Sequence, residues 1–240
     1  MITVQNLIKA YNERIVLDIE SLQINKGELF GLVGNNGAGK TTLFRLLLDL
    51  IRASKGEIVS GDYIVSASEN WKDYTSSYLD ESFLIGFLTP HEYFHFIGET
   101  YGLTKNDVEH KLTEYKTFLT EEIFGERKKY IRDFSKGNKQ KIGIVSAIIT
   151  EPKVLVLDEP FDGLDPTSQI LLKRILVKLN EKTGATILVS SHDLNHVTEI
   201  CRRIVLLEKG KVIRDIADNK NALAELEQYF APDKVLDSEA

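Results

Sequence analysis

Hydrophobic and polar positions alternate in the first part of the chain as expected of half-buried strands. Residues 2–7 and 15–24 both show this partial alternation, which predicts two strands with one face in the core. The segments 28–33 and 153–157 each contain a continuous apolar run after a charged first residue, as is typical of strands buried on both faces. Further strands are predicted at 186–190 and 203–207, with a hairpin turn at 208–211 and a helix at about 166–180. Strands that alternate with helices favour an α/β fold with a mostly parallel sheet.

The middle of the chain has a helical pattern. Thr89, Pro90 and Glu92 have the order of a helix start, with Thr as N-cap, Pro at the first helical position and Glu at the third. Helices are predicted at 93–101, 105–118 and 135–150, whereas 62–88 shows no clear period. We predict one domain over 1–230, made of an α/β core (1–88 and 151–215), an inserted helical subdomain (89–150) and a C-terminal helix (216–230), followed by a polar tail (231–240).

Composition is that of an ordinary globular protein. The 240 residues are 42% hydrophobic and 28% charged, which is enough for a sizeable core. The net charge of −6 argues against a dedicated nucleic-acid binder. Cys201 is the only cysteine, so no disulfide framework is expected, consistent with a reducing cytosol. The chain start does not have the pattern of a signal peptide, and no apolar run approaches 18 residues.

Residues 34–42 carry the most specific chemistry. They match G-x-x-x-x-G-K-[ST] between a predicted strand and a predicted helix, the context that a phosphate-binding loop requires. Glycines let backbone N–H groups surround phosphate oxygens at the positive end of a helix. Lys40 is predicted to reach the β- and γ-phosphates, and Thr41 to ligate Mg²⁺. The whole loop consists of Gly34, Asn35, Asn36, Gly37, Ala38, Gly39, Lys40, Thr41 and Thr42.

Two later strand ends supply partners for this loop. Asp158 and Glu159 follow the buried strand at 153–157. Asp158 is predicted to hold Mg²⁺ opposite Thr41, and Glu159 to orient or deprotonate a water aimed at the γ-phosphate. His192 follows the strand at 186–190, and ligands of open α/β sheets bind at such carboxyl ends. His192 is therefore predicted to face the same crevice and to donate a hydrogen bond to the γ-phosphate.

Together these motifs resemble those of the ATP-binding subunits of ABC transporters. The most specific mark is Phe134-Ser135-Lys136-Gly137-Asn138-Lys139-Gln140-Lys141, which stands 23 residues before Asp158 at the position of the family signature L-S-G-G-Q. The resemblance runs from Thr3 to about Lys211. It implies an α/β, P-loop NTPase (RecA-like) core with an N-terminal antiparallel β subdomain and an inserted α-helical subdomain.

The resemblance also implies a role for each motif. Tyr11 would stack on adenine, Glu159 would be the catalytic base, and His192 would sense the γ-phosphate. Ser135 and Gly137 would complete the site of a second subunit, and Asp165 would link the two sites. ATP and Mg²⁺ would be bound between two head-to-tail copies. A homodimer, or a pair with another ATPase subunit, would drive a transmembrane permease from the cytoplasmic face of the membrane.

Three residues depart from the family pattern. Lys136 stands in place of a usual Gly, and Asn138 in place of a usual Gln. Glu81 stands in place of the glutamine of the glutamine loop, and its carboxylate could still ligate Mg²⁺. The apolar residues of 82–88 would suit a contact with the permease or an ordinary core. Residues 78–81 most resemble the ABC-2-type exporter ATPases, although import is left open.

Two other functions compete with this interpretation. His91, Glu92 and His95 fit H-E-x-x-H, the pattern of a zinc metalloprotease, but the helix-start pattern explains Glu92 and a third ligand is not evident. Seven of the fifteen residues 127–141 are basic, which would suit a soluble ABC-type ATPase acting on nucleic acid or ribosomes. A solvated surface explains the same charges, and no nucleic-acid partner is expected.

Overall fold

The structure is a computed structural model that describes residues 1–125, 128–217 and 222–230. Its strands are β1 (Ile2–Tyr11), β2 (Arg14–Ile24), β3 (Leu29–Val33), β4 (Lys55–Ser60), β5 (Tyr63–Ile64), β6 (Thr75–Tyr78), β7 (Val154–Leu157), β8 (Thr186–Ser191), β9 (Arg203–Glu208) and β10 (Lys211–Ile216). Its α-helices are α1 (Lys40–Leu47), α2 (Pro90–Thr100), α3 (Lys105–Glu114), α4 (Lys116–Phe124), α5 (Lys136–Ile148), α6 (Pro166–Thr183), α7 (Leu194–Ile200) and α8 (Ala222–Phe230).

The strands form two sheets. An antiparallel sheet has the order β2-β1-β4-β5, and a second sheet has the order β10-β9-β3-β8-β7-β6. In the second sheet β6, β7, β8, β3 and β9 are parallel, and β10 forms an antiparallel hairpin with β9. The predicted α/β class, the antiparallel β part and the hairpin at 208–211 are therefore confirmed.

The central strands are fully buried because their sequences are largely apolar. All residues of β3, β7 and β8 are buried, as expected of parallel strands covered on both faces. Because these strands run in the same direction, their carboxyl ends meet at one edge of the sheet. The phosphate loop, the Asp158-Glu159 pair and His192 follow those ends directly. The edge thus brings together three motifs that lie far apart in the sequence.

The predicted helix start is confirmed, but one predicted helix is wrong. Thr89 and Glu92 form a reciprocal capping box at the start of α2, with Pro90 in the first turn. The single helix predicted at 105–118 is two helices, because Tyr115 leaves helical geometry (φ −104°, ψ 6°) and ends α3. This break lets α4 turn Phe118 and Leu119 into the core.

The structure also differs from the predictions within 62–88 and at the start of the C-terminal helix. Within 62–88, residues 75–78 form β6 at the sheet edge, a strand that their polar sequence does not reveal. Ile216 ends β10 and pairs with Ile204, so it does not belong to the predicted helix 216–230, whose described part is α8. The predicted polar tail at 231–240 lies outside the described residues.

Candidate nucleotide site

The phosphate loop joins β3 to α1 and requires its glycines. Gly39 caps α1 in the left-handed conformation, with φ 110°. A Cβ added to Gly34 would lie 2.2 Å from the carbonyl oxygen of Leu207, so a larger residue would displace the loop from β9. The Ala38 N–H donates to the carbonyl of Asn35 at 3.0 Å. Asn36 and Gly37 form the turn, and Thr42 lies in the first turn of α1.

Lys40 places a buried ammonium at the mouth of this loop. Its Nζ donates to the carbonyl of Gly34 at 2.6 Å and to that of Asn35 at 3.4 Å. The same Nζ lies 3.2 Å from Oε1 of Glu159. Among the described residues this cation is held by loop carbonyls and paired with one carboxylate, so it is well placed to exchange that carboxylate for phosphate oxygens.

Asp158 and Thr41 form a second polar contact beside the loop. The Thr41 hydroxyl donates to Oδ2 of Asp158 at 2.5 Å, and the Ser190 hydroxyl donates to Oδ1. Burial raises the pKa of Asp158, although both hydrogen bonds act to lower it. Ser190 was not assigned a role from sequence. The available sequence signal was its position at the end of the predicted strand 186–190, two residues before His192.

Glu159 is the centre of the site. Its Oε2 accepts a hydrogen bond from the backbone N–H of His192 at 3.1 Å and lies 2.9 Å from the ring Nδ1 of the same residue. Its Oε1 faces Lys40. The structure therefore brings the three predicted catalytic residues, Lys40, Glu159 and His192, into one continuous chain of polar contacts.

The signature residues begin helix α5. Ser135 is the N-cap, and its Oγ accepts a hydrogen bond from the N–H of Asn138 at 3.3 Å. Its side chain is exposed. A Cβ added to Gly137 would lie 2.7 Å from the carbonyl oxygen of Gly163. The start of α5 is thus packed against the 159–165 loop while Ser135 faces outward.

Asp165 and Glu81 have contacts that sequence reasoning did not foresee. Asp165 caps α6 by accepting hydrogen bonds from the N–H and the hydroxyl of Ser168, at 3.0 and 2.5 Å. These bonds lower the pKa of Asp165 to about 2. Glu81, predicted as a metal ligand, lies with its Oε2 3.3 Å from the ammonium of Lys139 on α5.

Tyr11 stands at the end of β1 and presents an available ring face. Its side chain is 50% exposed. The ammonium of Lys9 lies 4.6 Å from the ring centroid, which is a cation–π contact. An exposed aromatic ring of this kind offers a surface on which a planar base can stack.

The contacts of the H-E-x-x-H segment do not favour a protease. Glu92 accepts hydrogen bonds from the N–H and hydroxyl of Thr89, so its carboxylate serves the helix cap. His91 and His95 both lie against Oε1 of Glu109, at 3.1 and 2.9 Å. Among the described residues, no group of three His, Cys, Asp or Glu side chains is arranged to hold a metal ion.

The basic stretch is largely paired with carboxylates. Arg127 lies outside the described residues. Among the described residues, ion pairs join five of these basic side chains to acidic ones: Lys129 to Glu122, Arg132 to Asp133, Lys136 to Asp162, Lys139 to Glu81 and Lys141 to Asp165. Such mixed-charge contacts are ordinary on a solvated protein surface, so they favour the solvated-surface interpretation.

The fold and these contacts define a nucleotide-binding ATPase of the phosphate-loop type. The family model described as "ABC transporter" matches residues 17–162. An uncharacterised ABC transporter ATP-binding protein of Methanocaldococcus jannaschii is 34% identical over 212 residues, which are 88% of this chain and 76% of that protein. The linearmycin resistance ATP-binding protein of Bacillus subtilis is 34% identical over 216 residues, 89% of this chain and 68% of that protein.

Structural comparison agrees with the sequence comparison. A solved structure of an ATP binding subunit of an ABC transporter matches with a TM-score of 0.82 and 28% identity, covering 100% of this chain and 98% of that one. The chain belongs to the ABC transporter family and is an ATP-binding, ATP-hydrolysing subunit. The family and fold predicted from the motifs are thereby confirmed.

Proposed function

We propose that this chain powers a membrane exporter by hydrolysing ATP between two of its own copies, with Glu159 as the base. The observation that carries this proposal is the continuous contact of Lys40 with Glu159 and of Glu159 with His192. The first residue comes from the phosphate loop, and the other two come from the ends of β7 and β8. No structural need of an ordinary α/β core requires these three side chains to meet.

Each side chain has a distinct task. Lys40 holds the β- and γ-phosphate oxygens by charge-assisted hydrogen bonds. Glu159, about one-quarter exposed, orients the attacking water and accepts its proton. His192 fixes the carboxylate of Glu159 through its backbone N–H, and its ring donates to the γ-phosphate. Tyr11 stacks on the adenine.

Thr41 and Asp158 fit a Mg²⁺ ion. They supply one hydroxyl and one buried carboxylate, which are the hard oxygen donors that Mg²⁺ prefers. Mg²⁺ usually takes only one or two protein ligands and completes its shell with water and phosphates, so a pair of residues is sufficient. When bound, the ion neutralises charge on the phosphates. Glu81 would have to release Lys139 before acting as a further ligand.

A second copy of the chain supplies the other half of the site. Ser135 is exposed at the start of α5, where its hydroxyl and the first helical N–H groups can meet phosphate oxygens. Each chain carries one phosphate loop and one signature. Two copies arranged head to tail therefore make two complete ATP sites, with Asp165 at the interface between the two copies.

A groove lined by both apolar and polar side chains is the proposed docking place for a membrane permease. It lies between the core and the helical subdomain, has a volume of about 350 Å³, and includes Leu50, Phe83 and Tyr101 in its lining. Phe83, in that lining, and Phe87, four residues further along the chain, are 49% and 69% exposed. No helix among the described residues is long and apolar enough to cross a membrane. We assign the chain to the cytoplasmic face and, by similarity to the linearmycin resistance relative, to export.

Replacing Lys40 by Ala tests the nucleotide half of this proposal. We expect ATP affinity to fall by roughly 10- to 100-fold, because charge-assisted contacts to phosphate are lost. Isothermal titration calorimetry measures the change. Lys26→Ala removes the same charge from an exposed turn and should bind ATP as the parent does. Unchanged affinity in Lys40→Ala would contradict the loop assignment.

Acidic substitutions at the exposed residues Phe83 and Phe87 test the permease half. The protein encoded beside this chain should contain about six apolar spans of roughly 20 residues, and the two should co-purify from detergent-solubilised membranes. Phe83→Asp with Phe87→Asp should reduce co-purification at least tenfold, because charge is placed on a surface that must be desolvated. Ile213→Asp, on exposed β10, is the control. A neighbour without spans, parental co-purification in the Phe83→Asp, Phe87→Asp variant, or an equal loss in Ile213→Asp would contradict the docking site.

A further inference from the structure

Gln140 contacts the main chain of the proposed catalytic base. It lies on α5, is 6% exposed, and its side-chain Nε2 donates to the carbonyl oxygen of Glu159 at 3.0 Å. The backbone of Glu159 is also held on its N–H side, because the Glu159 N–H donates to the Ser190 hydroxyl at 2.9 Å. The hydrogen bond of Gln140 goes to Glu159 and not to the phosphate loop or Asp158. Its amide is used to fix backbone.

The backbone of Glu159 needs this support. Glu159 has a positive φ of 46°, a conformation that residues other than Gly seldom adopt without help from their surroundings. This conformation aims the Glu159 carboxylate at both Lys40 and His192. If the carbonyl were released, the peptide could relax toward an ordinary conformation and carry the carboxylate away from that position.

The start of α5 is attached to the 159–165 loop at further points. The ammonium of Lys136 lies 3.7 Å from Oδ2 of Asp162, and that of Lys141, which is buried, lies 3.6 Å from Oδ2 of Asp165. Gly137 leaves no room for a Cβ beside Gly163. Several contacts therefore hold the first two turns of α5 against the loop that carries the base.

We propose that Gln140 is a positioning residue that couples the signature end of α5 to the catalytic base. This inference rests on the proposed role of Glu159. Ser135, five residues earlier on the same helix start, meets the nucleotide of the other subunit. Engagement there fixes α5, and Gln140 transmits that position to the backbone of Glu159 in its own subunit. Each site thus becomes competent when its chain's signature is engaged at the opposite site.

Gln140→Met tests the coupling, since Met has a similar length and volume but no amide donor. We expect kcat for ATP hydrolysis to fall about tenfold, the effect of one lost hydrogen bond to a positioned group. KM for ATP should stay close to the parental value, and the urea midpoint of unfolding should fall only slightly, since one hydrogen bond is lost. Gln169→Met is the matched control, because Gln169 donates to the Phe161 carbonyl of the same loop at 3.2 Å but does not touch Glu159. It should keep the parental kcat.

A second variant, Gln140→Asn, covers the case in which Gln140→Met does not fold. The Glu159→Gln result shows whether the inference or the proposed function has failed. Gln140→Asn keeps the amide but is one methylene too short to reach, so it should show the same loss of kcat if the Met variant does not fold. Parental kcat in Gln140→Met, an equal loss in Gln169→Met, or a loss expressed as a raised KM would each overturn the inference. If Glu159→Gln itself hydrolyses ATP at the parental rate, the proposed function fails instead.

Discussion

Glu159→Gln will reduce the ATP hydrolysis rate by at least 100-fold while leaving ATP binding intact. Gln has the shape of Glu but cannot accept a proton, and general-base catalysis contributes about 10²–10⁴-fold. Lys40, which the carbonyls of Gly34 and Asn35 keep in place, and the N–H groups of the loop remain to hold phosphate. ATP should therefore persist in the site, and the two subunits that it joins should stay together. A phosphate-release assay under saturating ATP and Mg²⁺ measures the rate.

Glu181→Gln is a matched control for that experiment. Glu181 is an exposed carboxylate in the last turns of α6, so its loss should leave the rate within twofold of the parent. Hydrolysis by Glu159→Gln at the parental rate would mean that another group activates the water. The contacts of Glu159 with Lys40 and His192 would then need a different explanation.

Ser135→Asp will slow ATP hydrolysis at least tenfold without unfolding the chain. Asp is as good an N-cap as Ser, so α5 should form normally. Its negative charge, however, would face the phosphates of the other subunit's ATP. Two like charges within about 4 Å repel by roughly 1–4 kcal/mol in a polar environment. We expect turnover to fall at least tenfold, with unchanged ATP affinity in the separated subunit.

Ser135→Asn distinguishes the charge from the shape. Asn also caps helices well and adds no charge, so this variant should retain much more activity than Ser135→Asp. Circular dichroism and urea unfolding should give the same midpoint for both variants. Equal activity in the two variants would show that the exposed face of Ser135 does not approach phosphate.

Much of the architecture could be predicted because it depends on local patterns. Continuous apolar runs indicated β3 and β7, and the Thr89-Pro90-Glu92 order indicated the start of α2. The phosphate loop was visible for the same reason, since glycine spacing and one Lys are set within nine residues. The comparisons confirm the family and the fold. The assignments of individual site residues stay predictions.

Contacts between distant segments could not be read from the sequence. The bond of Gln140 to Glu159 joins a helix to a strand end, and its amide looks like one more polar residue in a basic run. Glu81 was expected at a metal, but only the folded chain shows Lys139 beside it. β6 was missed since Thr75 and Ser76 are polar although buried. In each case a neighbour from another element decides the role.

The central claim is that one chain forms half of a site that ATP completes with a second copy. Sedimentation equilibrium tests it most directly, on Glu159→Gln and on Glu159→Gln with Ser135→Asp, each with and without ATP and Mg²⁺. We expect Glu159→Gln to be a 27.2 kDa monomer without ATP and to double in mass with it. The double variant should remain a monomer in both conditions. A monomer in all four samples, or equal ATP-dependent dimers in both variants, would contradict the composite site.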